Sequence, residues 1–356
     1  MAKTIVVLGG DGIGPEVTGA TGYLLKEAGF ALDLHTPPCG ETVVEKFGTA
    51  LPDETREMCA GADAILFGAT HESSIIIVAY LRFVLKTYAN VRPLKYYTGA
   101  NSPLSNPDGV DFVIVRENLE GMYPGREGDL SDMAKAMPDY RDFMGRSFAD
   151  MGKGKFAIRV ISEEGTDKVA RFACELARKR KQNGHPGKIT CVTKQNVLRE
   201  SCGLFKQRVE ETIKHYPELD YEHFYVDDAA RRLVRFPRDM DVIVTSNMFG
   251  DILSDLGAEL VGGLGIAPSG CYGDATPYFE SVHGSAPDIA GKGIANPTAT
   301  ILSAAMMLDH LGMESEAQAL ERAIAEVYRK GETLTVDQGG SATTMEFVKA
   351  ALNAIR

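Results

Sequence analysis

An α/β fold built on a largely parallel sheet is what this sequence predicts, and three observations carry it. Strand-like β-branched runs alternate with amphipathic helical stretches along the chain. Several runs are apolar almost throughout, as expected where both faces of a sheet are covered. No repeat or low-complexity tract interrupts the alternation, and the longest interior apolar run, Ile75 to Ala79, is far too short to span a bilayer.

The elements follow in order. Strands are expected at Thr4–Leu8, Ala64–Phe67, Phe112–Val115, Ala157–Ile161, Ile189–Thr193 and Val242–Thr245. The glycine turn Gly10-Asp-Gly12-Ile-Gly14 precedes Pro15, a good first helical residue. Thr166 is expected to cap a helix with the stripe Val169, Phe172, Ala173, Leu176 and with Gly184 beyond its end. Ser315 and Gln318 form a capping-box pattern before Leu320, Ile324 and Val327, with Gly331 as the stop. From Tyr123 to Lys155 the chain is rich in Gly, Asp, Met and Arg, which reads as an excursion from the core: an arm, a lid or a surface loop.

At 356 residues and 44% hydrophobic, the chain is long enough for one large domain or two with their own cores. Lys and Arg number 38 against 49 Asp and Glu, a net charge of −11, so nucleic acid is a poor partner. An anionic substrate must be held by local basic residues against that field. The six cysteines form no CxxC pair and no zinc spacing, so free thiols in a reducing, cytoplasmic setting are expected. The first residues read as a strand and not as a signal peptide, and no membrane partner is expected.

Gly10–Gly14 imitates a dinucleotide fingerprint, with Asp33 on the next expected strand. The third glycine comes one position early, and a plain tight turn before a helix is the alternative. In Phe249-Gly-Asp251-Ile-Leu-Ser-Asp255, the two acids share one helix face, where like charges repel. A hard divalent cation such as Mg²⁺ or Mn²⁺ would relieve them, and Asp227-Asp228 could complete its site. Helix-dipole and solvated roles are the alternative. His283-Gly-Ser-Ala-Pro-Asp288 is a loop of small residues suited to close approach by a phosphate or ribose, or an ordinary turn. An acid there would accept a ribose diol and repel a 2′-phosphate, favouring NAD. Arg82, Arg92 and Arg116 could converge on a polycarboxylate or serve as surface ion pairs.

Longer motifs carry a resemblance: Gly9-Gly-Asp-Gly-Ile-Gly-Pro-Glu16, Tyr88-Ala-Asn-Val-Arg-Pro93, Val115-Arg-Glu-Asn-Leu-Glu-Gly-Met-Tyr123, Lys194-Gln-Asn-Val-Leu198, Phe249–Asp255, His283–Pro297 and Asp337-Gln-Gly-Gly-Ser-Ala342. Over nearly its whole length the chain resembles the metal-dependent β-decarboxylating dehydrogenases acting on isocitrate, homoisocitrate, 3-isopropylmalate, tartrate or D-malate. The resemblance implies a two-domain, non-Rossmann α/β fold with a dimer arm. Residues 1–90 plus 262–356 would form the large cofactor-binding domain. Residues 91–261 would form the small dimerisation domain, with the arm around 124–155.

It further implies that Arg82, Arg92 and Arg116 clamp a hydroxy-dicarboxylate or tricarboxylate. Asp227, Asp251 and Asp255 would hold Mg²⁺ or Mn²⁺, with Asp227 and Lys194 supplied by the second subunit of a homodimer. Lys194 would take the C2 hydroxyl proton and Tyr123 would protonate the product enol. His283, Asp288, Ile289 and Asn296 would bind the adenosine half of NAD, and Gly284, Ser285, Ala286 and Ile13 would also border the cofactor.

Specificity in such enzymes is set on the helix before Arg82, where the resemblance puts Ile75, Val78 and Ala79. An apolar patch suits an apolar C3 substituent, because burying a free carboxylate there is costly. The run Glu117-Asn-x-Glu-Gly-x-Tyr123 and Gly265-Ile-Ala-Pro-Ser269 resemble the isocitrate/homoisocitrate branch instead, and a one-residue shift would bring in Ser73 and Ser74. The Glu usual in isopropylmalate enzymes is missing, which opens an unusual 3-alkyl or 3-aryl malate. Asp227-Asp-Ala-Ala-Arg-Arg232 departs from the usual Met-containing run. A non-catalytic regulatory subunit on the same fold is the alternative from another class.

Overall fold

The protein is described by a computed structural model covering residues 2–356. Among these residues ten strands form one sheet in the order β2-β1-β3-β12-β11-β4-β5-β10-β8-β9. In chain order they are β1 Lys3–Gly10, β2 Leu32–His35, β3 Ala64–Ala69, β4 Ala89–Lys95 and β5 Asp111–Glu117, then β8 Lys188–Thr193, β9 Asp220–Tyr225, β10 Val242–Thr245, β11 Pro268–Tyr272 and β12 Tyr278–Ser281. β6 Glu127–Asp129 and β7 Lys155–Ala157 make a separate antiparallel pair.

The parallel expectation holds at both ends of the sheet, through β2, β1, β3 and β12 and through β5, β10, β8 and β9. The middle is antiparallel, where β11 joins β12 and β4 and where β4 joins β5. β1 shows why apolar runs mark buried strands: Ile5, Val6, Val7 and Leu8 are all nearly inaccessible to solvent. All six cysteines are buried and unbridged.

Alternation along β4 and β5 decides which side chains meet. Val91, Val113 and Val115 belong to the core cluster with Val169, Ala173 and Ala177 of the helix Glu163–Gln182. Arg92, Leu94, Phe112 and Arg116 face the opposite side, against the helix Asn247–Val261. A Cβ at Gly250 would lie 2.7 Å from Cβ of Arg116, so a glycine there lets the helix press onto the strand.

Three expectations are corrected. The segment expected as a core strand at 157–161 is the arm strand β7 followed by a single bridge from Val160 to Gly121, because β5 already has β4 and β10 as neighbours. The helix after it is capped by Ser162, whose Oγ accepts Gly165 N–H at 3.0 Å, and not by Thr166, which lies within the first turn. The helix Glu314–Lys330 starts straight from the turn at Gly312, with Ser315 inside it, bonded to Glu316. The capping box occurs instead at Thr343 and Glu346, on the final helix Thr344–Ile355.

The excursion after Tyr123 is built as an arm. β6 and β7 pair, with a short helix Leu130–Ala136 and a single turn Ala149–Met151 between them. Its tip exposes apolar surface, with Phe143 97% accessible.

Candidate active site

Two arginines and two aspartates meet where the helix Asn247–Val261 crosses β4 and β5. Arg116, wholly buried, donates from Nε and Nη2 to Asn247 Oδ1 at 3.0 and 2.7 Å, and its Nη1 pairs with Asp251. Arg92 donates from Nε to Asn90 Oδ1 at 3.1 Å and from Nη1 to Ser254 Oγ at 2.6 Å. Its Nη1 lies 3.3 Å from Asp251 Oδ1 and 3.6 Å from Asp255 Oδ1. The Tyr123 hydroxyl donates to the other oxygen of Asp251, and its ring lies under the Arg116 guanidinium, 4.7 Å from the ring centroid. Arg82 approaches the same ring at 6.0 Å.

The charges shift each other in a consistent way. Burial opposes ionisation of Asp251, but Arg116 and Arg92 outweigh it and hold the carboxyl below its ordinary range. Burial raises Asp255, with Asp251 adding repulsion. Burial, then the hydrogen bond to Asp251, pushes Tyr123 up to about 12, so its proton stays on at neutral pH. Burial and the neighbouring Arg92 bring Arg116 down to about 10.

Sequence reasoning missed Asn247, Ser254, Asn90 and Glu280. The first three were readable: Asn247 and Ser254 stand four before and three after Asp251, on its helix face, and Asn90 is two before Arg92, on its strand face. Glu280 came with no motif. It is buried, and burial raises its carboxyl against the opposing charges of Arg82, Arg92 and Arg116.

Lys194 and Asp227 form a second group. Lys194 follows β8, Asp227 opens the helix Val226–Arg235 after β9, and they form an ion pair that lowers Asp227. β9 lies three strand spacings, roughly 14 Å, from β5. Asp227, Asp251 and Asp255 therefore do not close into one cluster within the chain. Among the described residues, the three His, Cys, Asp or Glu side chains near enough to share an ion are Asp11, Glu41 and His71. Within this group Asp11 accepts the amides of Glu41 and His71 at 2.6 and 3.0 Å, and Glu41 Oε2 takes His71 Nδ1 and Ser73 Oγ at 2.9 and 3.1 Å.

The glycine turn is a support for the small-residue loop. Ile13 N donates to Ser285 O at 2.9 Å, and a Cβ on Gly12 (φ +60°) would lie 1.9 Å from that oxygen. Ile13 is buried with Val17 and Ala295, against Ala286 and Ile289. Glu16 accepts the amides of Gly293 and Ala295 at 3.2 and 3.0 Å, pinning the far end of the loop. Gly284 and Asp288 are exposed. His283 Nδ1 lies 2.9 Å from Gly284 O, while its Nε2 is buried without a partner. Both Asn296 amide hydrogens are spent internally, on Tyr328 Oη at 3.2 Å and Asp337 Oδ2 at 2.9 Å, so its side chain has no donor to spare.

The segment before Arg82 is not one regular helix. A 3₁₀ turn Glu72–Ser74 leads into α-helical Ile76–Ala79 and a π-helical turn Tyr80–Val84 that contains Arg82. Ile75 is 60% exposed, while Val78 and Ala79 are half-buried. Ser73 is exposed and donates to Glu41, while Ser74 is fully buried with its hydroxyl unpartnered.

The model of the isocitrate/isopropylmalate dehydrogenase family matches residues 4–351. The chain belongs to that family. This isocitrate/isopropylmalate dehydrogenase family member is 44% identical to a 3-isopropylmalate dehydrogenase of Archaeoglobus fulgidus, over 97% of each chain. It is 43% identical to an isocitrate/homoisocitrate dehydrogenase of Thermus thermophilus, over 100% of this chain and 99% of that one. Its fold matches the crystal structure of isocitrate dehydrogenase from Methylococcus capsulatus with a TM-score of 0.86 and 35% identity, covering 100% of both chains. Family and relatives identify an oxidoreductase of the decarboxylating dehydrogenase type, acting on a small hydroxy acid. Among the described residues no helix is long and apolar enough to cross a membrane.

One pH dependence arises at the end of β5. Glu117 is buried, and burial pushes it up to about 7 against the amides of Leu119 and Glu120, which it accepts at 2.7 and 3.0 Å. A carboxyl raised by folding contributes its stability fully below about 4.5 and loses it as pH rises through 7. Wild-type stability is expected to fall by up to roughly 3 kcal/mol across that window from this group. Glu117→Gln should flatten the fall in denaturant melts; an unchanged slope would assign it elsewhere.

Proposed function

We propose that this protein catalyses the NAD-dependent oxidative decarboxylation of a 3-substituted (R)-malate with an apolar C3 substituent, yielding a 2-oxo acid. The observation that carries this is the convergence of Arg92, Arg116 and Tyr123 on Asp251, together with the apolar side chains at Ile75, Val78 and Ala79 in the segment before Arg82. Engagement of Ser73 by Glu41 favours the apolar substituent over a γ-carboxylate.

Asp251 and Asp255, adjacent acids with hard oxygen donors, fit a divalent cation such as Mg²⁺ or Mn²⁺, with Asp227 of a second copy as the third ligand. The buried, unpartnered Nε2 of His283 and the exposed loop around Asp288 fit a dinucleotide, with Ile13, Gly284, Ser285, Ala286, Ile289 and the backbone of Asn296 around it. When bound, the cation supplies positive charge at the substrate C2 oxygen and the dinucleotide supplies the hydride acceptor. The chain's own residues do the rest. Arg82, Arg92 and Arg116 bind and orient the carboxylates. Lys194 of the second copy takes the hydroxyl proton, and Tyr123, protonated at neutral pH, returns one to C3 after CO₂ leaves. In this reading the division into 1–90 plus 262–356 and 91–261 encloses the site, the arm at 124–155 joins a homodimer, and the six unbridged thiols suit a cytoplasmic setting.

The test is the purified protein with NAD and Mn²⁺ against isocitrate, homoisocitrate, 3-isopropylmalate, tartrate and D-malate, following NADH and CO₂. The highest kcat/KM is expected on 3-isopropylmalate, with EDTA abolishing turnover. Preference for isocitrate or homoisocitrate would overturn the substituent, EDTA-resistant turnover the metal, and inertness towards all five the enzyme reading in favour of a regulatory subunit. In the same assay, Gly12→Ala is expected to raise the KM for NAD roughly ten- to a hundredfold, because its Cβ displaces the Ser285 carbonyl and the loop above it. A wild-type KM would show that the turn does not support the cofactor loop.

A further inference from the structure

Three guanidiniums face the site, and two are braced from below. Arg116 rests on Asn247 through two hydrogen bonds, and Arg92 rests on Asn90 Oδ1, which also accepts Ser269 Oγ at 3.0 Å. Arg82 has no such brace: its Nε is buried and makes no hydrogen bond. A second orphan borders it. Tyr278 on β12 is 0% exposed, and its Oη is likewise without a hydrogen bond. Cys271 lies directly across from Tyr278 on β11, and Glu280, two residues along, shares its face. The Tyr278 hydroxyl, the Glu280 carboxyl and the Cys271 thiol all favour the charged form of Arg82, the hydroxyl from within reach of a hydrogen bond that its present alignment does not complete.

Buried donors and acceptors are almost always paired, because each one left alone loses its hydration with nothing in return. Here a donor and an acceptor are both left alone, side by side. The donor sits on a π-helical turn, a feature whose hydrogen-bond ladder is already displaced by one residue and which recurs at functional sites. Alignment of the Arg82 side chain with the Tyr278 hydroxyl would join the two.

We propose that Tyr278 is a positioning residue for Arg82: when a dicarboxylate engages the outer edge of the guanidinium, Arg82 Nε–H closes onto Tyr278 Oη and the plane of the guanidinium is set for bidentate contact. Tyr278 Oη–H then points to Cys271 Sγ, whose thiol lies 3.9 Å from Glu280 Oε1, so the hydroxyl keeps an acceptor when it becomes one. The inference rests on the reading that Arg82 binds a substrate carboxylate.

Tyr278→Phe removes only the hydroxyl. The variant is expected to melt at or above the wild-type temperature without ligand, because the atom it loses is unpaired there. KM for the preferred hydroxy acid should rise about tenfold with kcat within about twofold, the pattern of lost binding. In an Arg82→Lys background the same change should have no further effect, since there is no Nε–H to position. The direct readout is the ¹⁵N-edited Nε–H resonance of Arg82, assigned with Arg82→Lys. Adding malonate should shift it and slow its exchange in the wild type and not in Tyr278→Phe. Malonate needs no turnover, so this arm stands even if the proposed reaction fails on all five acids. A wild-type malonate response in Tyr278→Phe, an undiminished KM effect in the Arg82→Lys background, or a Tyr278→Phe protein melting well below the wild type would each overturn the proposal.

Discussion

Tyr123→Phe and Lys194→Met are each expected to lower kcat by about 10²–10⁴-fold, the range for removal of a positioned acid or base. Mixing and re-associating the two inactive proteins is expected to recover roughly a quarter of wild-type activity. The recovery follows from geometry. Tyr123 bonds Asp251 in one group, while Lys194 pairs with Asp227 in another, two to three strand spacings from β5 in the same chain. If each site takes its tyrosine from one copy and its lysine from the other, half of the re-formed dimers are mixed and each carries one intact site. If both residues of a site came from one chain, a mixed dimer would hold only singly damaged sites and stay inactive. Absence of recovery, with heterodimers shown to form, would sink the shared site. Undiminished turnover in either single variant would remove that residue from the chemistry.

Asp241→Ala is expected to cost about 3–5 kcal/mol of stability, far more than its position outside the site would suggest. The carboxylate is fully buried just before β10. It accepts Arg180 Nε at 2.6 Å and the amides of Gly187 and Lys188 at 2.7 and 3.0 Å, tying β8, β10 and the helix Glu163–Gln182 together. Removing it leaves the amides of Gly187 and Lys188, the first of them buried, without an acceptor and leaves Arg180 only its contacts with Asp111 and His185. Urea melts of the variant and of Asp241→Asn measure the effect. Loss below about 1 kcal/mol in the alanine variant would show that water replaces the carboxylate.

Much of the fold is readable from the chain because burial on both faces writes itself as apolar runs, as in β1, β5 and β10. The short middle strands were not. β11 is Pro-Ser-Gly-Cys-Tyr and β12 is Tyr-Phe-Glu-Ser, with no periodicity to separate them from loops, and they become strands only because β3 and β4 offer edges to pair with. The glycine turn was ambiguous for a related reason. A turn that holds a cofactor and a turn that holds a cofactor loop use the same glycines, and the contact of Gly12 with Ser285 O tells them apart.

At the site, spacing alone put Asp251 and Asp255 on one helix face. Residue type and local periodicity determined that feature, because it depends on the geometry of a single element. Which elements meet was decided by the tertiary structure. Asp227 stands apart from Asp251 because β9 is an edge strand, Glu280 feels the charge of three arginines because β11 alone separates β12 from β4, and Arg82 sits unbraced in a π turn that no helical count anticipates. Such pairings depend on sheet order and close packing between segments distant in the chain, and local preference carries no record of them.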